Sequence, residues 1–401
     1  MSDRLPRVLF CHNFYQNRAQ QLGGEDVVFY AEQNLLRRYG HEVFEHTETN
    51  ERISEMNRLA LAGTTIWSRD AYRTLGDLVR KTGADIVHFH NTFPLLSPAV
   101  YSACKQAGAV VVQTLHNYRL ICPNGLLFRD GAPCEDCVGH TPPLPGIVHG
   151  CYQDSRVRTA VTAAMLTAHR RRGTWRRDVD LYIALTEFSR QKFIQGGLPP
   201  EKVAVKPNFI DPAPEPGPAG GDFFLFAGRL DEGKGVKTLL KAWVDSCPPA
   251  PLRIAGSGAL LADVSAAARD GSMIAHLGPL DRPPLLNQMR QARALIFPSQ
   301  WYENFPVTLV EAFACGLPVI ASRIGAMAEI VEDGRTGLLF NPGDPDDLRA
   351  KVRWAWDHPD ELDLMGARAR CEYEAKYTGE RNYEQLMAIY ERARSVAEGK
   401  A

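Results

Sequence analysis

The chain has 401 residues, 45% of them hydrophobic, and a net charge of −1 at pH 7. That length suits two domains rather than one, and near neutrality gives no overall field for nucleic acid. No apolar run reaches the length of a membrane span, the first ten residues lack the apolar core of a signal peptide, and nine cysteines without such a signal imply a reducing compartment, so a cytoplasmic protein is expected.

Arg7 to Cys11 is a short apolar run that predicts a first parallel strand. A loop with Gly23, Gly24 and Glu25 follows, then helical spacing from Asp26 to Tyr39 and a second strand from His41 to Glu45. Strand, Gly-rich loop, helix, strand is the order of a Rossmann-like half. The two glycines let a backbone approach a ligand at a helix N-terminus, or form an ordinary flexible loop.

Residues 53–82 read as mostly helical. Ile86 to His90 reads as a strand, and a helix runs from Pro98 through Cys104. Ala109 to Leu115 is a strand ending at His116 and Asn117. His116 therefore sits at a strand's carboxyl end, where open α/β sheets bind ligands; the alternative is a loop histidine bonded to backbone. His88 and His90 read as structural.

Cys122, Cys134, Cys137 and Cys151 fall in a Gly- and Pro-rich segment with the spacing C-x11-C-x2-C-x13-C. A C-x2-C pair lets two thiolates reach one tetrahedral ion, and the outer cysteines complete a set of four. A structural zinc is the expectation, with His140 and His149 as spare ligands; the alternative is four reduced thiols or a disulfide. Arg156 to Asp178 is basic, with Val157, Val161, Met165 and Leu166 recurring at helical intervals. It reads either as a membrane-surface or diphosphate-gripping helix or as a solvated helix end.

Leu181 to Leu185 predicts a strand and Thr186 a helix start. Val203 to Asp211, containing Asn208, runs from strand into loop, and the Pro-, Ala- and Gly-rich stretch 212–221 reads as a linker. The alternation then restarts. Phe223 to Ala227 is a strand, Gly228 to Gly235 a loop carrying Arg229 and Lys234, and Val236 to Val244 a helix. A loop entering a helix offers donors to phosphate, and the two cations add a planar fork and a point charge; the alternative is a surface turn. Leu252 to Ala255 ends in a tight loop, Gly256 to Gly258, and Ile274 to Leu277 forms another strand.

Ala294 to Phe297 is a buried strand. A loop then leads to Pro306, a helix from Val307 to Cys315, and a strand from Leu317 to Ala321. Glu303 lies in the loop and Glu311 in the helix among apolar neighbours, where a carboxylate needs hydrogen-bond donors. Sugar hydroxyls would serve; so would a backbone cap or an arginine. Helices are predicted over 344–356 and 382–398.

E-N-F-P-V-T-L-V-E resembles the E-x7-E signature of retaining GT-B glycosyltransferases of family 4, the group with sucrose synthase-like and bacterial mannosyltransferase enzymes. A-C-G-L-P-V-I-A-S, E-I-V-E-D-G-R-T-G-L-L-F and G-R-L-x3-K-G strengthen the likeness. P-N-F-I-D resembles the family's P-N-G-V-D, with Phe209 in place of glycine, which leaves that loop's course open. The resemblance covers both halves. It implies an α/β GT-B fold of two Rossmann-like β/α/β domains facing across a cleft: an acceptor domain over 1–211 with a Cys-rich insertion near 118–155, a nucleotide-sugar domain over 222–380, and a helix over 381–401 crossing back to the first.

The implied activity is retaining transfer of a sugar, most simply a hexose, from a nucleoside diphosphate sugar to a glycan or polyprenyl-linked acceptor. It fits surface polysaccharide or lipopolysaccharide synthesis, at the cytoplasmic membrane face as a peripheral protein. By resemblance, Arg229 and Lys234 hold the diphosphate, Glu311 the ribose, and Glu303 and His116 the transferred sugar. Gly23, Gly24, Asn208, Gly256, Asn304, Phe305, Pro306 and Val307 line the donor. The leaving phosphate serves as base, and no catalytic cofactor is expected. A nucleotide-sugar epimerase shares the architecture but not this motif set; a non-catalytic sugar-nucleotide-binding subunit is the alternative of another class.

Overall fold

The computed structural model describes residues 4–15, 23–218, 220–244, 250–269 and 273–399. The chain divides into two compact units. The first comprises Met1–Leu127, Glu135–Pro207 and Asn382–Ala401; the second comprises Phe128–Cys134 and Asn208–Arg381.

The strands in chain order begin with β1 (Val8–Phe14), β2 (Val43–Thr49), β3 (Ile86–Asn91) and β4 (Val110–Thr114). After a two-residue antiparallel pair, β5 (Phe128–Arg129) and β6 (Ala132–Pro133), come β7 (Leu181–Ala184) and β8 (Val203–Val205). The first unit holds a parallel sheet in the order β2-β1-β3-β4-β7-β8. Its central strands are buried on both faces, as near-continuous apolar runs in a parallel sheet require. Val8, Phe10, Phe29, Ile86, Val112 and Leu181 share one core with Leu386, Ile389 and Tyr390 of the last helix.

β1 runs three residues past the predicted Cys11, which brings His12 into the strand. The first helix, Gly24–Arg38, begins two residues before the predicted Asp26, so Gly23 is its N-cap and Gly24 is helical. The basic segment forms a helix, Arg156–Arg172, that stops at Gly173 in the left-handed region. Its buried face is Thr159, Thr162, Ala163, Met165, Leu166 and His169; Met165 and Leu166 of the stripe read from the sequence lie in it, Val161 is half-buried, and Val157 is 75% exposed and lies outside it. Arg170 donates to the carbonyls of Leu120, His140 and Gly196, and Arg172 lies over the Trp67 ring.

The second unit adds β9 (Phe224–Ala227), β10 (Leu252–Ala255), β11 (Ile274–Gly278), β12 (Ala294–Phe297), β13 (Val319–Ser322) and β14 (Gly337–Phe340). They form a parallel sheet in the order β11-β10-β9-β12-β13-β14. Helices Val236–Val244 and Pro345–Asp357 cover one core with Phe224, Ile254, Ile296, Ile320 and Phe340. In both sheets the chain goes first to one side of the starting strand and then to the other. The order reverses between β1 and β3, and between β9 and β12. Loops leaving the carboxyl ends of adjacent strands diverge at such a point and leave a crevice for a ligand.

Candidate active site

In the second unit the reversal point brings together the loops after β9 and β12. Lys234 Nζ donates to Glu303 Oε1 at 2.6 Å, and Ser299 Oγ donates to the same oxygen at 2.7 Å. The backbones are tied as well: Gln300 N donates to Gly233 O at 2.8 Å. Gly235 has φ +73°, and a Cβ there would fall 1.8 Å from Pro298 O, so only glycine lets the loops touch.

Trp301, buried in this loop pair, was not singled out from the sequence. Its ring carries Arg229 at 5.3 Å and Lys234 at 5.2 Å, and Phe128 packs edge-on against it. Each such cation contact contributes about 0.5–1 kcal/mol at an exposed site, and both fix where positive charge stands. Arg229 also lies 3.3 Å from Asp231, with two-thirds of its side chain exposed. Burial by itself would raise the Glu303 carboxyl. The Lys234 ammonium, with hydrogen bonds from Lys234, Ser299 and Trp301, outweighs burial and holds it below the ordinary carboxylate value.

Glu311 sits in helix Val307–Ala314, and its Oε1 accepts from Arg282 Nε at 2.9 Å. Of the partners open to it in the sequence, the structure supplies an arginine. Burial still keeps its carboxyl above the ordinary value, with Arg282 opposing. Asn304, Phe305 and Pro306 are buried just before this helix, and half-buried Val307 opens it. Gly256 stands where a Cβ would meet Gly228 O at 1.9 Å, so the loop after β10 packs backbone-to-backbone on the loop after β9. Asn208 is buried, and its Oδ1 has no hydrogen-bond partner among the described residues.

The first unit holds a separate polar cluster at the ends of β1, β3 and β4. His12 Nε2 lies 2.7 Å from Asp26 Oδ1. Asp26 Oδ2 accepts from Gly23 N at 2.9 Å, so this glycine's donor already has a partner. His116 Nε2 lies 2.9 Å from His90 Nδ1. Burial, and then His90, hold the His116 imidazole well below the ordinary histidine value, so it is neutral. Behind His90, Lys206 Nζ donates to Glu32 Oε1 at 2.6 Å, with both side chains fully buried. Glu32 and Lys206 are 174 positions apart, and no local signal marks either. Glu25, at the helix start, is pushed up to about 8 by burial and Asp26.

Of the four cysteines singled out, Cys122 and Cys137 are buried and Cys134 and Cys151 half-buried. Cys137 Sγ accepts from Gly146 N at 3.2 Å.

Residues 22–214 match the family described as Glycosyltransferase Family 4, and residues 210–378 match Glycosyl transferases group 1. D-rhamnosyltransferase WbpZ of Pseudomonas aeruginosa is 34% identical over 163 residues, 40% of this chain and 42% of that protein. The match thus spans about two-fifths of that relative's length. Sucrose-phosphate synthase from Thermosynechococcus elongatus has the same fold, with a TM-score of 0.72 at 18% identity over 97% of this chain and 99% of the other. Anabaena Alr3699/HepE, solved in complex with UDP, gives 0.67 at 17% identity over 95% and 98%. The fold is therefore the two-domain GT-B arrangement.

Proposed function

We propose that this chain, a GT-B glycosyltransferase built of a family 4 region and a group 1 region, transfers a sugar from a nucleoside diphosphate sugar to an acceptor hydroxyl with retention of configuration. The observation that carries the reading is the Lys234, Glu303, Ser299 and Trp301 constellation at the reversal point of the second sheet. Arg229 and Lys234 answer the diphosphate and stabilise the charge that grows as the glycosidic bond breaks. Glu303, kept ionised, accepts from sugar hydroxyls, and Glu311 from the ribose. A carboxylate so close to phosphate would repel it, and Lys234 bridging the two removes that conflict. His116 is assigned to the transferred sugar, and the leaving phosphate to the acceptor proton.

The acceptor is assigned to a glycan or polyprenyl-linked glycan at the cytoplasmic membrane face. This rests on the exposed arginines Arg156, Arg158 and Arg171 of the basic helix Arg156–Arg172. No helix among the described residues is long and apolar enough to cross a membrane. We also assign Cys122, Cys134, Cys137 and Cys151 to a structural zinc on their C-x11-C-x2-C-x13-C spacing, although among the described residues no three of these thiols stand within 4.8 Å of one another. Metal analysis showing one zinc per chain, lost on Cys137→Ser, is the expected result; a zinc-free folded protein overturns it.

Thermal stabilisation by UDP, GDP, ADP, CDP and dTDP tests the donor site, with UDP first because the Anabaena protein binds it. A ligand that binds only the folded state raises the midpoint by mass action. A shift with one diphosphate, lost in Lys234→Ala, followed by diphosphate release on adding acceptor, is the expected result. Binding without release points instead to a non-catalytic subunit, and no shift with any of the five overturns the reading.

A further inference from the structure

We infer that Glu32 and His90 act as positioning residues that lock His116 in one tautomer, with the proton on Nε2 and a bare Nδ1 that accepts a hydrogen bond from a ligand hydroxyl. The chain of contacts starts at a fully buried ion pair, Lys206 Nζ to Glu32 Oε1 at 2.6 Å. The other carboxylate oxygen, Oε2, lies 3.2 Å from His90 Nε2. Neither of these buried atoms has another hydrogen-bond partner among the described residues, so each must serve the other. A carboxylate held by an ammonium can only accept, so the proton of this pair sits on His90 Nε2. The neutral ring then has a bare Nδ1. That atom lies 2.9 Å from His116 Nε2, which must donate to it. The His116 proton is thereby placed on Nε2, and Nδ1 is left as an acceptor.

The two rings stack at 4.9 Å with 26° between their planes, so the arrangement is packed as well as bonded. His116 is half-buried just past the carboxyl end of β4, in a small cavity with Asn91, Thr92, Asn117 and Arg119. A doubly protonated His90 would reverse the contact with His116, because Nδ1 would then donate to His116 Nε2. It would also bury a second cation beside a carboxylate that Lys206 already neutralises. Glu32, His88 and His90 come close enough together to suggest a metal site. However, the Lys206 ammonium holds Glu32, and both His88 nitrogens are taken, by Tyr390 Oη at 2.9 Å and Thr114 Oγ1 at 2.8 Å. The cluster is built to set proton positions, not to hold a cation. The inference rests on the transferase reading only for what the free Nδ1 meets.

Long-range proton–nitrogen correlation spectra of the ligand-free protein, labelled with 15N histidine, read each tautomer without any activity. The expected spectrum shows His90 and His116 both protonated on Nε2. In Glu32→Gln the amide can donate to His90, and His116 shifts to a mixture of tautomers or to Nδ1–H. If the buried Lys206 left alone prevents folding, Glu32→Gln with Lys206→Met removes both charges, and the same shift is expected. His116 protonated on Nδ1 in the wild-type protein overturns the inference, as does a His116 tautomer unmoved in the folded variants. Failure of sugar transfer with the expected spectrum counts against the proposed function and leaves the tautomer lock standing.

Discussion

Lys234 Nζ and Glu303 Oε1 stand 2.6 Å apart and join two loops whose residues are 69 positions apart in the chain. The contact exists because β9 and β12 are neighbours in the sheet, although β10 and β11 lie between them in sequence. One ion pair thus ties the loop expected to meet a diphosphate to the loop expected to meet a sugar.

Removing one partner leaves the other charge largely buried, since the side chains are 19% and 11% exposed. Lys234→Ala and Glu303→Gln should each cost about 2 kcal/mol of stability, below the range for fully buried pairs because water still reaches these groups. The double variant should cost less than the sum, with a coupling of about 0.5–3 kcal/mol. Urea denaturation of the four proteins gives the cycle; additive losses would show that the pair is not coupled. Sugar transfer should fall in each single variant by about 100-fold, the scale of removing one preorganised charge-stabilising group.

The same carboxylate sets an acid response. Glu303 titrates lower when folded than when unfolded, so its stabilisation is full above the ordinary carboxylate value of 4.5 and is lost as pH falls through its folded value. Glu303→Gln should flatten the acid limb of the stability curve. Glu311 acts in the other sense: its folded value is raised, so it contributes most in acid and loses that contribution as pH rises from 4.5. Denaturation midpoints across acid pH for Glu303→Gln and Glu311→Gln should bend in opposite directions.

In the first unit His88 and His116 are held neutral, first by burial and then by the neighbouring His90. Their folded values lie below the ordinary 6.5, so the unfolded chain takes up protons first as pH falls. The contribution of these two histidines should decline as pH drops below 6.5, opposed by Glu25, whose raised carboxyl takes up its proton first in the folded chain. His88→Gln should reduce that slope, and an unchanged slope would assign the effect elsewhere.

Gly235 tests how tightly the two loops are joined. With φ +73° and Pro298 O at 1.8 Å from any added Cβ, Gly235→Ala must push the loops apart. The expected cost is about 1–3 kcal/mol for the strained backbone alone. The diphosphate-induced thermal shift should be lost even though no charge is removed. A variant that keeps the shift would show that the loops need not meet.

Much of the fold was legible because its signals are local. Apolar runs such as 224–227 and 294–297, punctuated by Gly228 and Pro298, mark buried parallel strands, and the helices over 236–244 and 307–314 follow from their spacing. The errors are local as well. The polar residues His12 and Asn13 hide the end of β1, and on the basic helix the stripe's Met165 and Leu166 are buried, but Thr159, Thr162 and Ala163 complete the packed face in place of exposed Val157. Threonine and alanine are small and weakly apolar, so a reading that counts large hydrophobes misses a face made of them.

The sequence by itself determined where β4, β9 and β12 end, to within a residue, and hence which loops could carry chemistry: Arg229, Lys234, Glu303 and His116 all follow a strand's carboxyl end. What only the tertiary structure decided is which of these groups meet and in what protonation state. Lys234 finds Glu303, Glu311 finds Arg282, and Lys206 reaches Glu32 from 174 positions away. Periodicity and turn chemistry act over a few residues, whereas these pairs are created by strand order and by burial. Burial removes the water that would otherwise let each charge stand alone.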